Sequence, residues 1–137
     1  MRMIALFFVL LPSLSFSEEY EAGMRRAFQE QKPVIVYFSS SSCPYCAEME
    51  QEVLSDREVK RRLERVIFVR VEAEKRPDLV RQYGVFGYPW TWLFEPSGKR
   101  IGNLPGYIPR KTFLRLIDYL ETKAYRKVSL YEYLSKD

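Results

Sequence analysis

The chain has 137 residues, room for one domain and too few for two ordinary ones. Hydrophobic residues make up 47% and charged residues 29%, a globular balance that excludes a disordered chain. The net charge of +4 is mild and its signs are interspersed, which argues against a nucleic-acid surface, and the absence of His excludes a Ser/His/Asp triad, a Cys/His protease and a His-ligated zinc site.

The first seventeen residues have the layout of a secretory signal peptide. Arg2 supplies the positive start, Met3 to Leu11 is apolar, Pro12 follows, and Ser15 and Ser17 are the small residues a signal peptidase reads. The apolar run is well short of the roughly 20 residues of a membrane span. Cleavage after Ser17 is therefore expected to free residues 18–137, in the periplasm or otherwise secreted, with no stable membrane insertion. Such a compartment permits disulfides.

Glu18 to Gln31 places Tyr20, Met24, Ala27 and Phe28 at helical spacing, and Lys32-Pro33 ends that helix. Val34 to Phe38 is a short β-branched and aromatic run that fits a strand buried on both faces. Four serines, Ser39 to Ser42, loosen the chain before Cys43-Pro44-Tyr45-Cys46 opens the next helix, with Pro44 suited to its first turn. Met49, Val53 and Leu54 continue that helix's inner face. Ser55-Asp56-Arg57-Glu58 has the capping-box pattern and predicts a further helix to about Arg65. Val66 to Val71 reads as a second buried strand, and Asp78 to Tyr83 as a short helix stopped by Gly84. Trp90 to Phe94 is a third strand, Pro96-Ser97-Gly98 a turn, and Arg100 to Leu104 its hairpin partner. Pro109 to Lys123 is an amphipathic helix with Phe113, Leu116, Ile117 and Leu120 inward. The tail from Tyr125 to Asp137 carries Val128, Leu130, Tyr131, Tyr133 and Leu134, too apolar for a free end, and predicts a short docked helix.

A strand, a crossover helix and a second strand, then a hairpin and a closing helix, make an α/β sandwich. A right-handed crossover makes the first two strands parallel, and the last two pair antiparallel. The expected architecture is a central mixed sheet of about four strands flanked by helices on both faces.

The two cysteines, Cys43 and Cys46, stand three positions apart at a helix start. There the unpaired backbone N–H groups and the helix dipole favour an anion, and the thiolate is the reactive form. Cys46 is within reach of Cys43 and can displace a client captured on it as a mixed disulfide. A structural bond between them closes so short a loop that it removes little entropy from the unfolded chain. Zinc lacks ligands, and haem attachment lacks the His that would follow Cys46, where Ala47 stands. A soft-metal site such as Cu(I) and an inert structural bond stay open beside the redox reading. No cofactor is expected.

Taken in order, Lys32-Pro33-Val34-Ile35-Val36, Cys43-Pro44-Tyr45-Cys46 and Tyr83-Gly84-Val85-Phe86-Gly87-Tyr88-Pro89 resemble the thioredoxin superfamily, over about Glu18 to Leu120. Within it the chain is similar to exported thioredoxin-like proteins of sulfur-oxidation and disulfide-handling systems, through the run from Cys43 to Val59 and through Gly106-Tyr107. The resemblance implies a thioredoxin fold and thiol–disulfide oxidoreductase activity, with Cys43 attacking, Cys46 resolving and the two forming the redox disulfide. It implies a cis bond before Pro89, and a client-binding surface at Tyr88, Pro89, Pro44 and Tyr45, with extended clients added by strand pairing. Implied partners are client proteins with disulfides and a membrane or periplasmic thiol electron donor, acting on a monomer. Three positions depart from the family. Tyr37 stands where thioredoxins bury an acidic residue, leaving water, Tyr37 or Glu48 as proton acceptor for Cys46. Ser42 replaces the usual Trp. The Pro-Tyr pair is glutaredoxin-like, yet the surroundings of Pro89 lack that family's glutathione-binding pattern. The alternative to an enzyme is a binding module of this fold that holds Cu(I) or docks a partner through Tyr88 and Trp90. Trp90 and Trp92 read as core or site-wall aromatics, Tyr107 as groove lining or packing, and Lys60-Arg61-Arg62 as a solvated helix face.

Overall fold

The computed structural model describes residues 19–136, so the expected signal peptide of residues 1–17 lies outside the described residues. Helix α1 (Tyr20–Glu30) leads into strand β1 (Val34–Ser39), and the chain then crosses over through α2 (Pro44–Met49), a π-helical turn (Glu50–Leu54) and α3 (Arg57–Leu63) to β2 (Ile67–Glu72). Helix α4 (Pro77–Gln82) precedes the hairpin of β3 (Trp90–Phe94) and β4 (Arg100–Pro105). Helix α5 (Arg110–Glu121), a short 3-10 turn (Ala124–Arg126) and α6 (Leu130–Ser135) complete the chain.

The four strands form one mixed sheet in the order β2-β1-β3-β4. β1 and β2 run parallel, from Val34 opposite Ile67 to Ser39 opposite Glu72. β3 is antiparallel to β1, with Phe38 opposite Trp90, and to β4, with Trp90 opposite Pro105. Alternation along the strands divides the core in two. On one face Ile35, Tyr37 and Leu93 pack with Met49, Val53 and Leu54 and with Phe113, Leu116, Ile117 and Leu120 of α5. On the other Val34, Val36, Phe38, Val69 and Phe94 pack with Ala27 of α1, Leu79 of α4 and Tyr83. β1, central and covered on both sides, is buried from Val34 to Phe38, as a continuous apolar run requires.

Four local expectations need correction. Phe28 is exposed, because the buried face of α1 runs through Gly23 and Ala27. β2 is an edge strand and buries only alternate residues, Ile67, Val69 and Val71, while Phe68 and Arg70 are half-exposed and Glu72 is exposed. Helix α3 is capped by Asp56, whose carboxylate accepts from the N–H groups of Glu58 and Val59, both at 3.1 Å. The Ser55 hydroxyl instead donates to the Glu50 carbonyl at 2.6 Å, closing the π turn. Finally, Tyr131 in the tail is 84% exposed.

The rest of the tail is docked. Leu130 is 7% exposed and lies over Gly102 of β4, where a Cβ would meet its Cδ2 at 3.4 Å. The Tyr119 hydroxyl donates to the Val128 carbonyl at 2.7 Å, and Arg115 donates to the carbonyls of Tyr133 at 2.6 Å and Leu134 at 3.4 Å. The Arg115 bonds satisfy carbonyls in the last turn of α6, and the Tyr119 bond holds the segment that leads into it.

Candidate functional site

The site is built at the end of the sheet where β1 finishes and β3 begins. Phe38 lies opposite Trp90, so the serine loop that follows β1 and the Tyr88-Pro89 step that precedes β3 emerge together. The end of β4 joins them: Trp90 pairs with Pro105, and the Gly106 N–H donates to the Pro89 carbonyl at 2.8 Å. Gly106 takes φ +87°, a left-handed turn suited to a residue without Cβ, and so delivers Tyr107 to this end.

Cys43 is the N-cap of α2, with extended backbone (φ −120°, ψ 100°), as the residue before a proline prefers. Pro44 fills the first helical position, where its missing N–H costs nothing. The Cys46 N–H donates to Cys43 Sγ at 3.1 Å, so the first turn already directs a donor at that sulfur. The two residues are joined as a disulfide, with Cα atoms 5.2 Å apart. Cys43 is part-exposed and Cys46 is 4% exposed, so the pair is asymmetric, one member facing solvent and the other turned to the core. Pro44 is exposed and Tyr45 is 63% exposed beside them. The Tyr88–Pro89 peptide is cis, with Tyr88 half-buried and Pro89 buried.

The serine loop is held by Glu74, which no local pattern in the sequence connects to it. The Glu74 Oε1 atom accepts from Ser40 Oγ at 2.5 Å, the Ser41 N–H at 3.0 Å and Ser41 Oγ at 3.2 Å. Those donors, led by Ser40, hold the Glu74 carboxyl down to about 2. Glu74 reaches the loop because Ser39 and Glu72 are opposed in the parallel pair, a register fixed by long-range pairing. On the other side, the Tyr107 hydroxyl donates to Glu52 of the π turn, tying α2's continuation to the loop after β4. That bond, and then burial and the charges of Glu52 and Glu48, push the Tyr107 hydroxyl up to about 12.

Tyr37 is fully buried, opposite Thr91 in the β1–β3 register, and neither hydroxyl has a hydrogen-bond partner among the described residues. Burial, reinforced by the charge of Glu50 and opposed by Arg70, raises the Tyr37 hydroxyl well above the ordinary phenol range. Glu50 and Arg70 are themselves paired, with Nη1 to Oε1 and Nη2 to Oε2 both at 3.0 Å. Trp92 is half-buried and donates to the Tyr83 carbonyl at 3.0 Å, a packing role. Trp90 is buried, and Phe86, 87% exposed, stacks edge-on against it at 4.6 Å between centroids. Glu52, Glu74 and Phe86 were not evident as site residues, and only the aromatic Phe86 within the Gly84-to-Pro89 stretch carries a visible signal in the sequence. Among the described residues, no three His, Cys, Asp or Glu side chains gather as a metal centre, and no helix is long and apolar enough to cross a membrane.

Residues 20–121 match the thioredoxin-like domain family. A thioredoxin from Thermus thermophilus superposes with a TM-score of 0.69 at 33% identity, covering 77% of this chain and 85% of that one. The thiol:disulfide interchange protein DsbD of Neisseria meningitidis serogroup A is 27% identical over 100 residues, which is 69% of this chain. The match spans only 17% of that relative's length. The C-terminal domain of Neisseria meningitidis DsbD in its reduced form superposes with a TM-score of 0.60 at 28% identity, covering 73% of this chain and 92% of the domain.

Proposed function

The chain belongs to the thioredoxin-like family, and from that membership together with the site's geometry we propose that it is an extracytoplasmic thiol–disulfide oxidoreductase that reduces disulfides of client proteins. One observation carries the reading: Cys43 and Cys46 are joined at the first turn of α2, one part-exposed and the other buried. That is the asymmetry dithiol exchange needs.

In the reduced protein the Cys43 thiolate attacks one sulfur of a client disulfide. A Cys43–client bond forms, the client S–S bond breaks, and the other client sulfur leaves as a thiolate that takes up a proton. Cys46, deprotonated, then attacks Cys43 Sγ. The Cys43–Cys46 bond re-forms and the second client sulfur leaves as a thiolate and is protonated. Two electrons pass to the client, and an external dithiol donor returns them. The N–H of Cys46, already aimed at Cys43 Sγ, stabilises negative charge on that sulfur, as does its N-cap position. The cis peptide before Pro89 lies at the end of the sheet from which the disulfide loop emerges, and its backbone is suited to an extended client, with Tyr88, Pro44 and Tyr45 as its flanks. The signal-peptide pattern of residues 1–17 supports the location, and the likeness to a thioredoxin supports the direction.

The test is substitution of each cysteine. Cys43→Ser abolishes reduction of insulin disulfides. Cys46→Ser accumulates mixed disulfides with clients in the native compartment. Turnover that survives in both variants defeats the proposal, and equilibration with glutathione buffers fixes the potential and thereby the direction.

A further inference from the structure

The disulfide sits in a rim that is aromatic and carries uncompensated negative charge, although the chain as a whole is basic. From Pro33 through Asp56 there is no Lys or Arg, while Glu48, Glu50, Glu52 and Asp56 are present. The two other segments at this end of the sheet, 84–94 and 101–109, carry no charge at all. Several cations around this end are already engaged. Arg70 pairs with Glu50, Arg110 with Asp56 and Glu58, Lys75 with Glu72, and Arg76 with Glu21 and Asp78. Glu48, Glu52 and Glu74 are in no ion pair among the described residues; Glu52 and Glu74 accept only from hydroxyls and a backbone N–H. At the same end of the sheet the fold leaves two large apolar side chains in solvent, Tyr45 between the cysteines and Phe86 propped on Trp90. Exposed aromatics of this kind, clustered at one functional end, mark a contact surface.

We propose that this rim selects polypeptide clients whose reactive cysteine is flanked by basic residues and an apolar side chain. The inference rests on the oxidoreductase reading and names the client chemistry of that same site. The aromatic pair supplies the apolar contact. The carboxylates supply charge complementarity, which acts mainly on the rate of encounter and against acidic competitors.

The experiment uses the reduced protein and two disulfide-bridged synthetic peptides, identical except for two Lys or two Glu beside one cysteine. Single-turnover rate constants are read by acid quench, thiol alkylation and mass spectrometry. At low ionic strength the Lys peptide should react about 10-fold faster than the Glu peptide, and the ratio should shrink as salt shortens the screening length. In Glu48→Gln/Glu52→Gln the ratio should fall toward about 2. Phe86→Ser should slow both peptides by roughly 3-fold or more without changing their ratio. Equal rates for the two peptides in the unmodified protein, a ratio that survives the double Gln variant, or a Phe86→Ser variant as fast as the parent each overturn the inference. If neither peptide nor hydroxyethyl disulfide is reduced, the oxidoreductase reading itself fails, an outcome distinct from exchange without charge preference.

Discussion

Leu130 anchors a tail that extends past the family match ending at residue 121, and replacing it measures how far the fold depends on that appendage. The side chain is 7% exposed, packed on Gly102 of β4, beside α5. Burying a leucine contributes about 1.5–3 kcal/mol by transfer, and truncation in a close-packed core costs roughly 2–5 kcal/mol with the cavity included. A terminal helix can settle into the space more easily than a central one, so Leu130→Ala is expected at the lower end, about 2–3 kcal/mol. For a domain of this size that corresponds to a drop in Tm of about 10 °C. Urea unfolding followed by far-UV circular dichroism reads the loss, and Tyr131→Ala is the internal control. Tyr131 is the adjacent tail residue and is 84% exposed, so its truncation should stay within about 0.5 kcal/mol. A Leu130→Ala variant as stable as the Tyr131→Ala control would refute the docking of α6 through this side chain.

Two further outcomes follow from polar groups near the site. Tyr37→Phe removes a buried hydroxyl that has no partner among the described residues, so stability should be unchanged or higher by up to about 1 kcal/mol. Because burial keeps that hydroxyl protonated well above neutral pH, the pH profile of disulfide exchange should not move; a displaced profile would make Tyr37 part of the proton path. The Glu74 carboxyl is depressed to about 2, so its grip on the serine loop is complete above the ordinary Glu range and is lost as pH falls through about 2. Amide exchange at Ser41, read by mass spectrometry between pH 2 and 5, should be slower in the parent than in Glu74→Ala at the upper end. The two should converge at the lower end, and parallel curves would show that Glu74 does not hold the loop.

Much of this architecture is legible because it is encoded locally. The run from Val34 to Phe38, the turn around Gly98 and the stripe Phe113, Leu116, Ile117 and Leu120 each declare their element within a few residues. The two cysteines are equally visible, since their spacing at a helix start singles them out, whereas Pro89 stands out only through the resemblance to the thioredoxin superfamily. What escaped the sequence depends on partners far along the chain. Glu74 meets Ser40 and Ser41 only through the β1–β2 register, and Glu52 meets Tyr107 only once β4 has closed against β3. The cap of α3 moved from Ser55 to Asp56 because the π turn claims the serine hydroxyl, a competition the capping pattern does not register. Phe28 matches the helical spacing yet faces out, because Gly23 and Ala27 define the side of α1 that approaches the sheet.

The sheet is open at both margins, and each margin is guarded differently. Along β2 the half-exposed and exposed positions include Arg70 and Glu72, and an incoming strand from another molecule would have to desolvate both charges. Along β4 the last residue is Pro105, which has no N–H to offer, and Leu130 of the tail lies across Gly102. Removing the tail should therefore do more than weaken the domain: it would uncover the apolar face of the sheet over Gly102 and favour self-association at high concentration.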